Sequence, residues 1–211
     1  MLLPPGNRSA FRNVMNKDIK KLVSASVRMG ASEAGVISPA DIVVDDNLAK
    51  LCNGDPACEN YGLSMSCPPH VAGPKQFRTW QKQSLHAIVI RIDVPASIMF
   101  SDEHREVVQL LHEIVASVEQ EAIQMGYTQS RAFAGGSCKN LFCTEQPDCR
   151  VLAGNGDCRH PESARPSMSG FGINVTEMMR SAGWPLKPAN PEHAANAESM
   201  TWVAGLVLIS K

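Results

Sequence analysis

The sequence predicts an α/β (or α+β) fold: a small sheet of about four strands flanked by helices, interrupted by two cysteine-rich loop segments. Three observations predict it. Apolar residues recur at helical spacing in two long stretches, short β-branched runs lie between them, and helices alternate with strands along the chain. A length of 211 residues with 44% hydrophobic and 19% charged side chains supports one domain, 1–211, with a real core.

A first helix is expected from Asn16 to Met29, capped by Asn16, striped by Ile19, Leu22, Val23 and Val27, and stopped at Gly30. A short strand, Ala34 to Ser38, follows, and the acidic run Asp41 to Leu51 leads into the first cysteine segment, 52–70. After Pro74 a short helix carries Phe77 and Trp80, and His86 to Asp93 reads as a strand. Ser101 or Asp102 starts the longest helix, which ends at Gly126 and repeats Val107, Leu111, Ile114, Val118 and Met125 on one face. Arg131 to Ala134 predicts a strand ending at Gly135-Gly136, where the second cysteine segment, 135–172, begins. Asn174 to Ala182 reads as helix and Met200 to Ser210 as a final buried strand. Such stripes are core by default.

Composition excludes several function classes. The formal net charge is −1 and no Lys/Arg block occurs, so no nucleic-acid partner is expected; 5% aromatic content argues against a base-stacking surface. The longest apolar run, Trp202 to Ile209, is far below the roughly 20 residues of a membrane span, so no membrane partner is expected. Met1 to Lys17 lacks the apolar core of a signal peptide, being broken by Pro4, Pro5, Asn7, Arg8 and Arg12. A cytoplasmic location is expected. There is no G-x-G-x-x-G after a strand and no P-loop, which argues against built-in dinucleotide or ATP binding.

Seven cysteines make an odd number, which a closed disulfide framework would leave with one unpaired. In a reducing cytosol clustered thiols more often hold metal. Cys138, Cys143, Cys149 and Cys158 fall within 21 loop-like residues containing Pro147, Gly154 and Gly156. Four thiolates suit a cubane cluster or a tetrahedral zinc. No C-x2-C knuckle occurs, and gaps of four, five and eight leave loops wide enough for a larger inorganic core. Three bases directly follow cysteines, Lys139, Arg150 and Arg159, where they would tune an anionic site or simply be solvated.

Cys52, Cys58 and Cys67 form an incomplete ligand set. Its fourth ligand would be His70, a cysteine of the other segment, solvent or a substrate; an open position lets a metal bind a reactant. Pro68 and Pro69 are expected to hold an extended backbone after Cys67. His70 and His160 each stand within three residues of a cysteine and are expected to hydrogen-bond behind the ligands rather than ligate. Arg165, held extended before Pro166, would clamp a carboxylate or phosphate or else pair with a local acid such as Glu162. His86, His104, His112 and His193 look like ordinary strand, helix and loop residues.

The stretches Cys52…Cys58-Glu-Asn-Tyr-Gly…Ser66-Cys67-Pro-Pro, Gly135-Gly-Ser-Cys138 and Cys158-Arg-His-Pro-Glu-Ser-Ala-Arg-Pro-Ser-Met…Gly172-Ile resemble the cysteine-rich predicted metal-binding protein family, a domain of unknown function. That resemblance implies metal binding through the matching cysteines and an anaerobic host, and it implies no particular reaction.

The expectation is an iron–sulfur protein of anaerobic redox metabolism with two 4Fe-4S clusters, acting in electron transfer or as a small redox enzyme or activator. One cluster would sit on Cys138, Cys143, Cys149 and Cys158, the other on Cys52, Cys58 and Cys67 with a non-cysteine fourth position. A single cluster shared between the segments is the variant of this expectation. Electrons would come from a ferredoxin or flavoprotein partner, and a small anionic substrate would meet Arg159, Arg165, His70 or His160. The alternatives are a zinc-stabilised interaction module without catalysis, and a metal or cluster delivery protein.

Overall fold

The computed structural model describes residues 17–184 and 199–211. Asn16, the expected helix cap, and His193 lie outside the described residues. Among the described residues, seven α-helices and four strands follow one another in the expected alternation. Helix α1 is Lys17–Arg28, β1 Glu33–Ile37, α2 Asp46–Lys50, α3 Gly73–Gln83, β2 His86–Pro95, α4 Ala96–Met99, α5 His104–Gln124, β3 Arg131–Phe133, α6 Cys138–Phe142, α7 Val175–Ser181 and β4 Met200–Ile209. No helix among the described residues is long and apolar enough to cross a membrane.

The sheet is antiparallel throughout, in the order β1-β2-β4-β3. Its central strands β2 and β4 pair over their whole length, Val89 opposite Leu206 and His86 opposite Ile209. Helices cover both faces, which is why these strands read as unbroken apolar runs rather than alternating ones. On one face Ile88, Ile90, Ile92, Val207 and Ile209 pack against Ile19 and Leu22 of α1 and Leu111, Val115 and Val118 of α5. On the other, Val89, Phe133, Leu206 and Leu208 meet Phe77 of α3, Phe171 and Met178 and Met179 of α7. Each such side chain, fully buried, contributes roughly 1.5–3 kcal/mol. At Gly205 the sheet and α5 approach so closely that a Cβ would stand 2.5 Å from the Val115 Cγ1.

Helix starts follow local chemistry. Asn174 accepts the Glu177 amide at the head of α7, one residue into the helix read from the sequence as Asn174 to Ala182. Helix α5 begins later than expected, at His104, because Ser101 spends its hydroxyl on the Glu103 amide inside a preceding turn. The acidic run after Asp41 is itself partly helical: Asp45 caps α2 by accepting the Asn47 amide.

β3 is an edge strand, and its free edge is covered by the closing part of the second cysteine segment. Ala134 donates to Pro166 and accepts from Met168, forming a parallel bridge to Ser167. Glu119 of α5 takes the Ala132 amide at 2.6 Å. The sheet edge thereby anchors one side of the cysteine lobe.

Candidate metal centre

The first cysteine segment leaves the body through α2 and a short 3-10 turn, Leu51–Asn53. Its base is pinned twice. Val44 bridges Ile173, and Arg78 bonds both the Val44 carbonyl and the Asp46 carboxylate. Only glycine fits at Gly172, where φ is +67° and a Cβ would lie 2.2 Å from the Asp45 carbonyl oxygen. Beyond Asn53 the chain runs in turns closed by its own amides: Cys58 donates to the Cys52 carbonyl and Cys67 to that of Ser64. Cys67-Pro68-Pro69-His70 also turns, His70 donating to the Cys67 carbonyl, instead of extending as expected; proline fixes φ and leaves ψ free to close the turn.

The second segment opens with the short α6 and then has no helix or strand until residue 168. Two residues one helical face apart on α5, His112 and Glu119, hold its two ends. His112 is fully buried: its Nδ1 accepts the Arg165 amide at 3.2 Å and its Nε2 meets the Gly135 carbonyl at 2.8 Å. The accepting Nδ1 assigns the proton to Nε2, so the ring is neutral, and burial holds its pKa down at about 4. Glu119 takes the Arg165 Nε at 2.7 Å, and the Arg165 Nη1 donates to the Pro161 and Ala164 carbonyls. Arg165 is therefore buried and engaged, and the acid that pairs with it is Glu119, not Glu162.

The bases that follow cysteines act as loop staples. Lys139 bonds the Cys143 and Gln146 carbonyls, and Arg150 the Asn155 carbonyl. Arg159 reaches the Asp148 carbonyl and lies near the Cys149 sulfur. His160 stacks on Phe142, whose other contact is the edge of His112. Its backbone amide, 3.4 Å from the Cys158 Sγ, points at the sulfur. His70 is exposed.

The two segments interlock at Ser66. Its hydroxyl donates to the Cys138 Sγ at 3.1 Å, its carbonyl accepts the Ser167 amide, and Cys67 beside it is 6% exposed. All seven cysteines are free thiols, with no disulfide among them. Burial, then the neighbouring Cys58 and Cys67, push the Cys52 thiol up. Burial also raises Cys138, against the hydroxyls of Ser66 and Ser64, with Cys158 and Cys67 adding to the rise. Cys67 thus lies within electrostatic reach of both groups. At Cys149 burial acts upward, but the amides of Leu152, Met65 and Val151 and the Arg159 charge outweigh it and bring the thiol below its ordinary range. The Met65 amide comes from the other segment.

Among the described residues, no three His, Cys, Asp or Glu side chains converge as ligands of one metal ion. A tetrahedral zinc with thiolate bonds of about 2.3 Å needs sulfurs roughly 3.8 Å apart. A cavity of about 460 Å³ opens against Cys52, Cys58 and Cys67. The sequence reading passed over Ser64, Ser66, Ser137, His112 and Glu119. A signal existed only for the last two, polar residues seven apart on an otherwise apolar helix face.

No curated protein and no solved structure matches the chain. Residues 35–209, which include every cysteine and the whole sheet except the first residues of β1, match the family described as "Predicted metal-binding protein (DUF2284)". The chain therefore belongs to this predicted metal-binding protein family.

Proposed function

We propose that the protein is an iron–sulfur protein of anaerobic redox metabolism, with thiolates drawn from both cysteine segments. The observation that carries this reading is the interlock at Ser66, which brings Cys67 of one segment within electrostatic reach of Cys138 of the other while every thiol stays free. Free thiolates crowded together raise one another's energy, and a metal relieves it. A further feature supports a thiolate-bound centre: amide or hydroxyl donors point at Cys138, Cys149 and Cys158, as donors to metal-bound sulfurs do.

In this reading Cys52, Cys58 and Cys67 hold one 4Fe-4S cluster with a non-cysteine fourth position, and Cys138, Cys143, Cys149 and Cys158 hold the other. A bound cluster supplies one-electron transfer. The chain's own part is to keep water from Cys67, to orient Cys138 through Ser66, and to hold the ends of the second segment through His112 and Glu119. Electrons come from a ferredoxin or flavoprotein partner. Because Cys67 neighbours both thiol groups, a single shared cluster is the second reading.

Anaerobic purification with iron and acid-labile sulfide analysis tests this. Two clusters give about eight irons and eight sulfides per chain, and a shared one about four. A colourless preparation loaded with zinc overturns the proposal in favour of a zinc-stabilised module. In Cys158→Ala the iron content falls by about one cluster's worth, since each thiolate is needed to hold the core. An unchanged count removes Cys158 from the ligands.

A further inference from the structure

Another cavity, of about 350 Å³, takes no residue from either cysteine segment. It opens between the last turn of α3, which supplies Trp80, Gln83 and Ser84, and the strand ends at Gln129, Arg131 and Ser210. Arg131 begins β3, paired with Leu208. Alternation along the strand sets its side chain on the same face as Phe133, the face that α3 covers. The volume lies at the lower end of small-molecule sites, roughly 300–1,000 Å³. No Asp or Glu side chain lines it.

The cation at this cavity is held in place without being neutralised. The Arg131 guanidinium carbon sits 4.6 Å from the centre of the Trp80 ring, over its face. Trp80 is in turn fixed by Phe133 and Phe171, part of the core on that side of the sheet. Arg78, Arg91, Arg165 and Arg180 each pair with a carboxylate. Arg131 has no carboxylate within ion-pair reach and makes no side-chain hydrogen bond among the described residues. It is half-buried, yet its nitrogens are not among the buried atoms that lack a partner, so its N–H donors remain open to solvent. Beside it the side chains of Gln83 and Gln129 are exposed.

We propose that this cavity binds the oxyanionic head of a small hydroxylated molecule, a carboxylate or phosphate gripped by Arg131, with the Gln83 and Gln129 amides serving its hydroxyls. A guanidinium presents paired N–H donors in a fixed fork, which matches two oxygens of either head group. The ring contact fixes the position of the cation and consumes none of its N–H donors. A clamp ordered in advance loses less freedom when the ligand arrives. The glutamine amides both donate and accept, as a ligand hydroxyl requires. An ammonium would meet a cation and no acidic side chain. Arg165, the clamp expected from the sequence, is spent on Glu119, whereas the Arg131 fork is open. The site stands apart from the cysteines, and the inference is independent of the metal-centre reading.

Calorimetric titration of the full chain, purified anaerobically in phosphate-free buffer, tests the site with four probes: glycerol 3-phosphate, glycerate, glycerol and 3-amino-1,2-propanediol. They share a dihydroxylated three-carbon frame and differ in one group. Saturable binding of one or both anions is expected, and the tighter of the two identifies the head group. Glycerol and the amine are expected to bind at least about tenfold more weakly, since neither offers the fork an anion. In Arg131→Gln the affinity for the anion falls about ten- to hundredfold, the worth of hydrogen bonds to a charged group. Gln129→Glu changes an exposed side chain, sets a carboxylate at the cavity and weakens the anion at low salt; it serves should the arginine variant not fold. No saturable binding of either anion, glycerol or the amine binding as tightly, or an unchanged anion affinity in either folded variant overturns the proposal.

Discussion

The strand β4 and the loop from Cys143 to Asp157 are both short runs rich in non-polar or small residues, and they are held in different ways. From Ala204 to Ile209 every residue of β4 is buried, with β2 on one side and β3 on the other supplying main-chain partners. From Cys143 to Asp157 there is no helix or strand, and turns are closed by Lys139 and Arg150 reaching loop carbonyls and by amides directed at the Cys149 sulfur. The strand's shape follows from burial, which needs nothing from outside the chain. The loop buries too little apolar surface to hold itself, so its order is tied to its thiols.

Stripping metal from the purified protein with a chelator gives the largest expected effect. Amide exchange in residues 52–67 and 143–158 rises on the order of a hundredfold while β2 and β4 keep their protection. Equal loosening of both regions breaks the distinction.

Glu119→Ala attacks the hinge between them, leaving the buried Arg165 guanidinium without its carboxylate and the Ala132 amide without its acceptor. A loss of about 3–5 kcal/mol in denaturant unfolding is expected, and a loss below about 1 kcal/mol would mean the lobe relaxes independently of the sheet.

Acid acts through the second staple. His112 is buried neutral with a pKa near 4, below the unfolded value of 6.5, so the unfolded chain binds the proton more readily. Stability from this group is full above pH 6.5 and declines as pH falls toward 4, by about 3 kcal/mol at most. Comparing the unfolding of wild type and His112→Gln across that window isolates it; parallel curves remove His112 from the account.

The smallest effect belongs to Ser66→Ala, about 1 kcal/mol for one hydrogen bond to the Cys138 sulfur. Under the proposed iron–sulfur function the same change moves the reduction potential to more negative values, because a donor to a ligand sulfur would stabilise the reduced cluster. A potential that stays put places Ser66 outside the ligand environment.

Much of the fold was legible in the chain. The stripe of α5, the runs of β2 and β4, the Gly30 stop and the helix after Asn174 are local signals, each carried by a few neighbouring residues. Strand order was not, because pairing β4 between β2 and β3 depends on contacts that no local window contains. The extended backbone expected at Pro68-Pro69 failed for a related reason: two fixed φ angles leave ψ to the surroundings.

Sequence alone determined that seven thiols stand in two stretches of a chain that alternates helices with strands, since composition, spacing and periodicity are properties of the chain itself. Tertiary structure decided that those segments meet at Ser66, that Arg165 belongs to Glu119, and that the Ser137 hydroxyl makes no helix-capping bond. These are encounters between residues dozens of positions apart. They depend on how the sheet edge and α5 bring distant stretches together, a geometry that burial of the whole core selects and no single stretch encodes.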